Sequence, residues 1–287
     1  MNVLELFSGT KSIGKVCKQL GWESVSVDMI LPADHQVDIM NFNYKQYPKD
    51  HFDIVWASPP CTAYSNLQSC WLGRKKKDGK VFTKEIMEAD MNEADMIVKK
   101  TLEIINYFDC EYWFMENPAT GKLKSREFMK DIPFYDVSYC MYSDWGYEKR
   151  TRIWTNKKDW DNKICDKSGA CGNMIQSQHK KVLGNGYEMI DGEKVICNTK
   201  KLRLIHSDRM GTSKTILDNG KIIRVNTAEL RKKYKDYPNI QNESKKHKKT
   251  AQGGSSKSKG EWIKNGTTTQ LDRYRIPEDL IFSLFLE

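Results

Sequence analysis

The chain has 287 residues, 39% hydrophobic and 30% charged, with 47 lysines and arginines against 38 acids for a formal charge of +9. That length holds one core-forming domain of roughly 180 residues plus a smaller lobe. No apolar run approaches the ~20 residues needed to cross a bilayer, and the start reads as a strand rather than a basic-then-apolar leader, so neither a membrane span nor a signal peptide is expected. Eight cysteines in no regular framework fit a reducing, intracellular compartment.

In chain order, Val3-Leu4-Glu5-Leu6-Phe7 reads as a buried first strand running into Ser8-Gly9-Thr10-Lys11-Ser12. Ile13, Val16, Cys17 and Leu20 then fall on one face of an amphipathic helix, and Gly21 is a natural stop. A second strand, Ser24-Val25-Ser26-Val27, ends at Asp28. Strand, small-residue turn, helix, strand and acidic tip form the half-fold that binds a nucleotide, with close backbone approach at the glycine and ribose hydroxyls on the carboxylate. Gly9 without second and third glycines does not match a dinucleotide fingerprint.

Asp53 to Ala57 is too short and too rich in branched and aromatic residues for a helix, and Pro59-Pro60 ends its ladder. Cys61 is therefore expected on a stiff turn at a strand's carboxyl end. Such a thiol is either a packing group or a nucleophile. Downstream, Tyr112-Trp113-Phe114-Met115 delivers Glu116-Asn117-Pro118 to the same end of the sheet, where ligands of open α/β folds bind. Between them, Gly73-Arg74-Lys75-Lys76-Lys77-Asp78-Gly79-Lys80 reads as a mobile loop that is either simply solvated or a phosphate contact. Ala94, Ile97, Val98, Thr101, Ile105 and Phe108 follow at helical spacing, a face that covers the sheet.

Residues 1–155 hold 20 basic against 22 acidic residues, whereas 156–287 hold 27 against 16. A near-neutral half joined to a basic one suits a polyanion-binding enzyme. Asp191-Gly192 and Asn219-Gly220 sit between apolar stretches as hairpin turns, so 156–270 is expected to be a small, irregular, strand-bearing region with one helix over 227–235. Tyr187, Trp262 and Tyr274 offer stacking surface or ordinary packing. Cys165, Cys171, His179 and His247 are candidate zinc ligands, but Cys165-x5-Cys171 is not the tight knuckle spacing, and thiols without metal are the simpler expectation. Pro277-Glu278-Asp279 starts a last helix, which Leu280, Ile281, Leu284 and Phe285 would dock on the core.

Four blocks in this order resemble the C5-cytosine methyltransferase family: Leu4-Glu5-Leu6-Phe7-Ser8-Gly9 is similar to its cofactor turn, Pro59-Pro60-Cys61 with Ser65 to its nucleophile loop, Glu116-Asn117-Pro118 to its Glu-Asn-Val, and Arg150-Thr151-Arg152 to its Arg-x-Arg. The resemblance covers roughly residues 1–155 and implies a Rossmann-like α/β sheet that uses S-adenosyl-L-methionine. It implies catalytic domain 1–155, target-recognition region 156–270, and a returning helix in 271–287. DNA would be the substrate, with RNA left open because nothing in the sequence reads a 2′-hydroxyl. The resemblance gives Cys61 as the thiolate adding to cytosine carbon 6, Glu116 as the acid steadying the adduct, Arg152 at the base carbonyl and Arg150 orienting the base or backbone. It places Phe7, Ser8, Gly9 and Pro59 around the cofactor, Asp28 at its ribose, and Asp38 with Ile39 at its adenine edge. Departures are Lys11-Ser12 for Gly-Gly, Pro118 for valine, and Glu148-Lys149 for the glutamine segment. A Gly-Asn-Ser-Val block is absent, leaving Thr267, Thr268 or Thr269 for the carboxyl-terminal cofactor contact. An exocyclic-amino methyltransferase would carry an aromatic residue in place of Cys61, and a scaffold without turnover is the alternative from a different class.

Overall fold

A computed structural model of the chain describes residues 1–75, 79–175, 178–180 and 274–287, together with the backbone of five strands between 187 and 226. Residues 1–177 and 270–287 form one compact unit, and 178–269 form a second.

The first unit is built on six strands: β1 (Asn2–Leu6), β2 (Glu23–Val27), β3 (Ile54–Ala57), β4 (Tyr112–Pro118), β5 (Phe134–Ser138) and β6 (Arg150–Thr155). They lie in the order β2-β1-β3-β4-β6-β5. Pairings from β2 through β4 are parallel, and β6 runs antiparallel to both β4 and β5. The chain leaves β1 to one side for β2 and returns to the other for β3. The crevice outside the carboxyl ends of β1 and β3 is therefore a topological switch point.

Side chains alternate across this sheet, giving it two buried faces. Leu4, Leu6, Val55, Ala57, Met115 and Trp154 pack with Met91, Val98, Ile104 and Ile105 of helix α2 (Lys84–Tyr107). Val3, Ile54, Trp56, Phe114 and Ile153 pack on the opposite side with helix α1 (Ser12–Leu20) and helix α3 (Glu278–Leu286). The apolar face expected of α1 is buried, and Gly21 closes the helix in the left-handed conformation (φ 72°), its N–H meeting the carbonyls of Cys17 and Lys18. Leu280, Ile281, Leu284 and Phe285 of α3 are all buried as expected. Fully burying an aliphatic side chain contributes about 1.5–3 kcal/mol, enough for these contacts to bring the carboxyl-terminal segment back to the first strand.

The compact unit continues past residue 155, where the sequence suggested a boundary. Trp160 is buried, donates from Nε1 to Ser283 Oγ at 2.9 Å, meets Tyr135 edge-on and stacks with Tyr142. In the second unit, β9 (Tyr187–Ile190) pairs antiparallel with β10 (Glu193–Ile196), and β11 (Leu202–Ser207), β12 (Ser213–Asp218) and β13 (Lys221–Asn226) form an antiparallel meander. The registers of Ile190 with Glu193 and of Asp218 with Lys221 agree with the expected hairpins, whose turn residues lie outside the described residues. The expected helix over 227–235, Thr267 to Thr269, Trp262, Cys197 and His247 lie outside the described residues. Among the described residues, no helix is long and apolar enough to cross a membrane.

Candidate active site

The turn after β1 is shaped by backbone conformation and two carboxylates. Phe7, Gly9 and Lys11 all have positive φ (58°, 50° and 55°), uncommon outside glycine and a sign that surrounding contacts hold the loop. Asp28 explains part of this: Oδ2 accepts from the Gly9 N–H at 2.9 Å, while Oδ1 accepts from Ile30 and Leu31, both at 2.8 Å. Glu5, on the strand face toward α1, accepts from the N–H groups of Ile13 at 3.1 Å and Gly14 at 3.0 Å. Burial pushes its carboxyl up to about 7, against the lowering effect of those two bonds. A carboxylate seated on a helix amino terminus occupies the place where a nucleotide's phosphates would bind. The nucleotide-type half-fold is thus adapted to a ligand without phosphate at that position.

Ser8 is buried, and its Oγ has no hydrogen-bond partner among the described residues. The carboxyl-terminal segment reaches this turn: Ile276 N–H donates to Ser12 Oγ at 3.2 Å, and Tyr274 Cβ lies 3.9 Å from where a Cβ on Gly9 would stand. Asp38 caps a short 3-10 turn through the Met40 N–H at 2.9 Å, and Ile39 is buried in the core. The local turn accounts for one Asp38 oxygen, as its turn preference allows.

The second cluster stands at the ends of β3 and β4. The Pro59 carbonyl accepts from Asn117 Nδ2 at 2.9 Å, fastening the Pro-Pro turn to the tip of β4, and the buried Asn117 Oδ1 has no hydrogen-bond partner among the described residues. Tyr64 N–H donates to the Cys61 carbonyl, while the buried Tyr64 hydroxyl donates to Asp95 of α2 at 2.9 Å. Asp95 is held in turn by Arg126, so the cysteine turn is braced from two sides. Ser65 caps the following turn through the Leu67 N–H. Glu116 is buried, and its Oε1 accepts from the Tyr139 hydroxyl at 3.1 Å and from Lys149 Nζ at 3.2 Å. Lys149 also lies over the Tyr139 ring, 4.6 Å from its centroid. Cys61 is close enough to feel both charges: burial pushes its thiol up, Glu116 pushes it further, and Lys149 pulls it down.

Arg150 and Arg152 are not the cations at Glu116. In the β4–β6 register Glu116 faces Ile153, whereas Asn117 faces Arg152. Directly paired residues project to the same face, which places Arg152 and Arg150 on the other side of the sheet from Glu116. Arg152 pairs with Asp136 at 2.7 and 3.0 Å and stacks 3.5 Å from the Phe134 ring centroid; Arg150 is exposed. Lys149 and Thr151 share the Glu116 face, and Lys149 is the cation beside Glu116. Glu5, Asn117, Tyr139 and Lys149 were not singled out from the sequence. For Lys149 the available signal was alternation, but apolar Ile153 and Trp154 at adjacent positions hide which parity faces the crevice.

Of the candidate metal ligands, Cys165 and Cys171 come together with Cys140, while His179 lies on β8 (Gln178–His179) in the second unit.

No protein-family model matches the chain. Over 177 residues, 61% of this chain, it is 40% identical to the "Probable DNA (cytosine-5)-methyltransferase" of Frog virus 3 (isolate Goorha), covering 79% of that protein. Among solved structures it is similar to the methyltransferase EhMeth of Entamoeba histolytica, with 16% identity, coverage of 57% of this chain and 55% of the other, and a TM-score of 0.38. It is also similar to the Dnmt2 methyltransferase of S. pombe, with 12% identity, coverage of 61% and 56%, and a TM-score of 0.36. The chain thus spans just over half the length of those two structures. The identity to the viral protein extends over most of that relative's length, and on this ground the chain belongs to the DNA (cytosine-5)-methyltransferase family.

Proposed function

We propose that the protein transfers a methyl group from S-adenosyl-L-methionine to carbon 5 of a cytosine in DNA, with Cys61 as nucleophile. The observation that carries this reading is the convergence of a thiol, a buried carboxylate and an ammonium at the ends of β3, β4 and β6, beside a phosphate-excluding turn. Ser8 Oγ, Asn117 Oδ1, Phe7 and Pro59 line the strand ends where the cofactor would bind, and the two polar atoms are buried without hydrogen-bond partners among the described residues. Asp28 Oδ2 accepts one N–H, that of Gly9, which leaves a second acceptor position on that oxygen for a ribose hydroxyl. When bound, S-adenosyl-L-methionine supplies a methyl group on a positively charged sulfur.

The residues of the chain prepare the base. Cys61, once deprotonated, gives its electron pair to carbon 6; the carbon 5–carbon 6 double-bond pair becomes available at carbon 5, which is otherwise a poor nucleophile. Glu116 is held through one oxygen by Tyr139 and Lys149, leaving the other for the ring nitrogen and amino group, where a positioned acid is worth ~10²- to 10⁴-fold. Lys149 favours the thiolate. After carbon 5 is methylated, loss of its proton and expulsion of Cys61 restore the aromatic ring. The base must leave the duplex stack to reach a recessed thiol, and the basic half from residue 156 onward suits the phosphate backbone.

The test is a covalent trap. A DNA oligonucleotide containing 5-fluorocytosine, incubated with protein and cofactor, is expected to remain attached to a peptide containing Cys61, because fluorine cannot leave carbon 5 as the proton does. Cys61→Ser is expected to abolish both the adduct and methylation of ordinary DNA while cofactor binding persists. Methylation surviving in that variant would exclude the thiol mechanism. Absence of any base-linked methyl from the native protein, with calorimetry still showing salt-sensitive DNA binding, would instead establish a scaffold without turnover.

A further inference from the structure

Cys140 follows β5, 25 residues before Cys165 in the chain, yet the fold brings it to Cys165 and Cys171. The three Sγ atoms lie within 4.8 Å of one another. Cys140 and Cys165 are buried, Cys171 partly so, and no disulfide joins them. A tetrahedral zinc site with Zn–S bonds of about 2.3 Å sets its sulfurs about 3.8 Å apart, within reach of this cluster by small side-chain adjustments.

The surroundings are arranged for sulfur as a ligand. The Lys167 N–H donates to Cys165 Sγ from a residue in the left-handed conformation (φ 65°). Gly169 and Gly172 also have positive φ, folding the segment between and after Cys165 and Cys171 back on itself. Buried Asn173 ties the two cysteine-bearing segments together. Its Nδ2 donates to the carbonyls of Cys140, Ser143 and Cys171 at 2.7–2.9 Å, and its Oδ1 accepts from the Gly146 N–H at 2.9 Å. Such contacts around the ligands hold them in a fixed orientation.

We infer that Cys140, Cys165 and Cys171 bind one structural zinc ion as thiolates. Binding releases three thiol protons to solvent and is neither a redox step nor part of methyl transfer. A closed structural site takes four ligands, so one further donor completes the three thiolates. The site pins the loop over 139–149, which presents Tyr139 and Lys149 to Glu116.

The full chain, purified from zinc-supplemented medium and desalted, is expected to carry one zinc ion per molecule by elemental analysis. Cobalt(II) exchanged into it should give the sulfur-to-metal charge-transfer and tetrahedral d–d absorption of a thiolate site. Cys165→Ser and Cys171→Ser should each lower retained metal at least tenfold, whereas Cys70→Ser, an exposed cysteine elsewhere, should leave it unchanged. If the native chain retains no zinc and gives no thiolate band with cobalt(II), the site is refuted. That reading of the native protein does not depend on any variant folding or on methyl transfer.

Discussion

The carboxyl ends of β1 and β2 and those of β3 and β4 border the same crevice, yet they are built differently. At the first pair, the carboxylates of Glu5 and Asp28 are held by backbone N–H groups, and the loop conformation is set before any ligand arrives. At the second, side chains of opposing character meet: a thiol raised by burial, a carboxylate raising it further and an ammonium lowering it. The first arrangement specifies shape and the second stores reactivity. Substitutions should therefore separate into effects on stability and cofactor affinity at one end and on turnover at the other.

The sharpest break of that contrast is Glu116→Gln, expected to lower kcat by ~10²- to 10⁴-fold while melting temperature and cofactor affinity stay near native. Loss of cofactor affinity instead would place Glu116 with the binding end. Lys149→Met comes next. It removes the influence that lowers the Cys61 thiol, so less thiolate is present near neutrality and kcat/KM should fall. Raising the assay pH should recover part of the loss, visible as displacement of the rising limb to higher pH; an undisplaced profile would mean that Lys149 works only through Glu116.

Arg152→Ala tests the face assignment. Breaking its pairing with Asp136 is expected to cost about 1–3 kcal/mol in denaturant unfolding, with methyl transfer within tenfold of native. A hundredfold loss at unchanged stability would return Arg152 to the base. The smallest effect belongs to Glu5. Its folded-state value of about 7 lies above the ordinary 4.5, so the folded form holds the proton more tightly and stability declines as pH rises through that window, levelling off above it. Glu5→Gln should abolish this slope and cost about 1–2 kcal/mol, because an amide oxygen cannot satisfy both N–H groups equally. Urea unfolding at several pH values would show either the lost slope or its persistence.

Much of the site was legible because local rules fix local outcomes. The prolines end β3 just before Cys61, the α1 face repeats at helical spacing, and Gly21 stops that helix by adopting positive φ. The antiparallel pairings of β9 with β10 and of β12 with β13 were equally readable, since a two-residue spacer restricts register. The metal ligands were read only in part. Cys165 and Cys171 share one loop and could be paired by eye, whereas Cys140 belongs to a different segment and nothing in its neighbourhood marks it.

Residues close together along the chain made β1 to β4, the first and last helices, the thiol on its rigid turn and the carboxylate on β4 readable, whereas β5 and β6 carried no local signal that was read. Tertiary structure alone decided that Lys149 rather than Arg152 meets Glu116, that Glu5 closes the helix amino terminus, and that Cys140 joins two distant cysteines. Each of those outcomes depends on strand register or on packing between elements far apart in sequence. A shift of one residue in β6 would send every side chain on that strand to the opposite face.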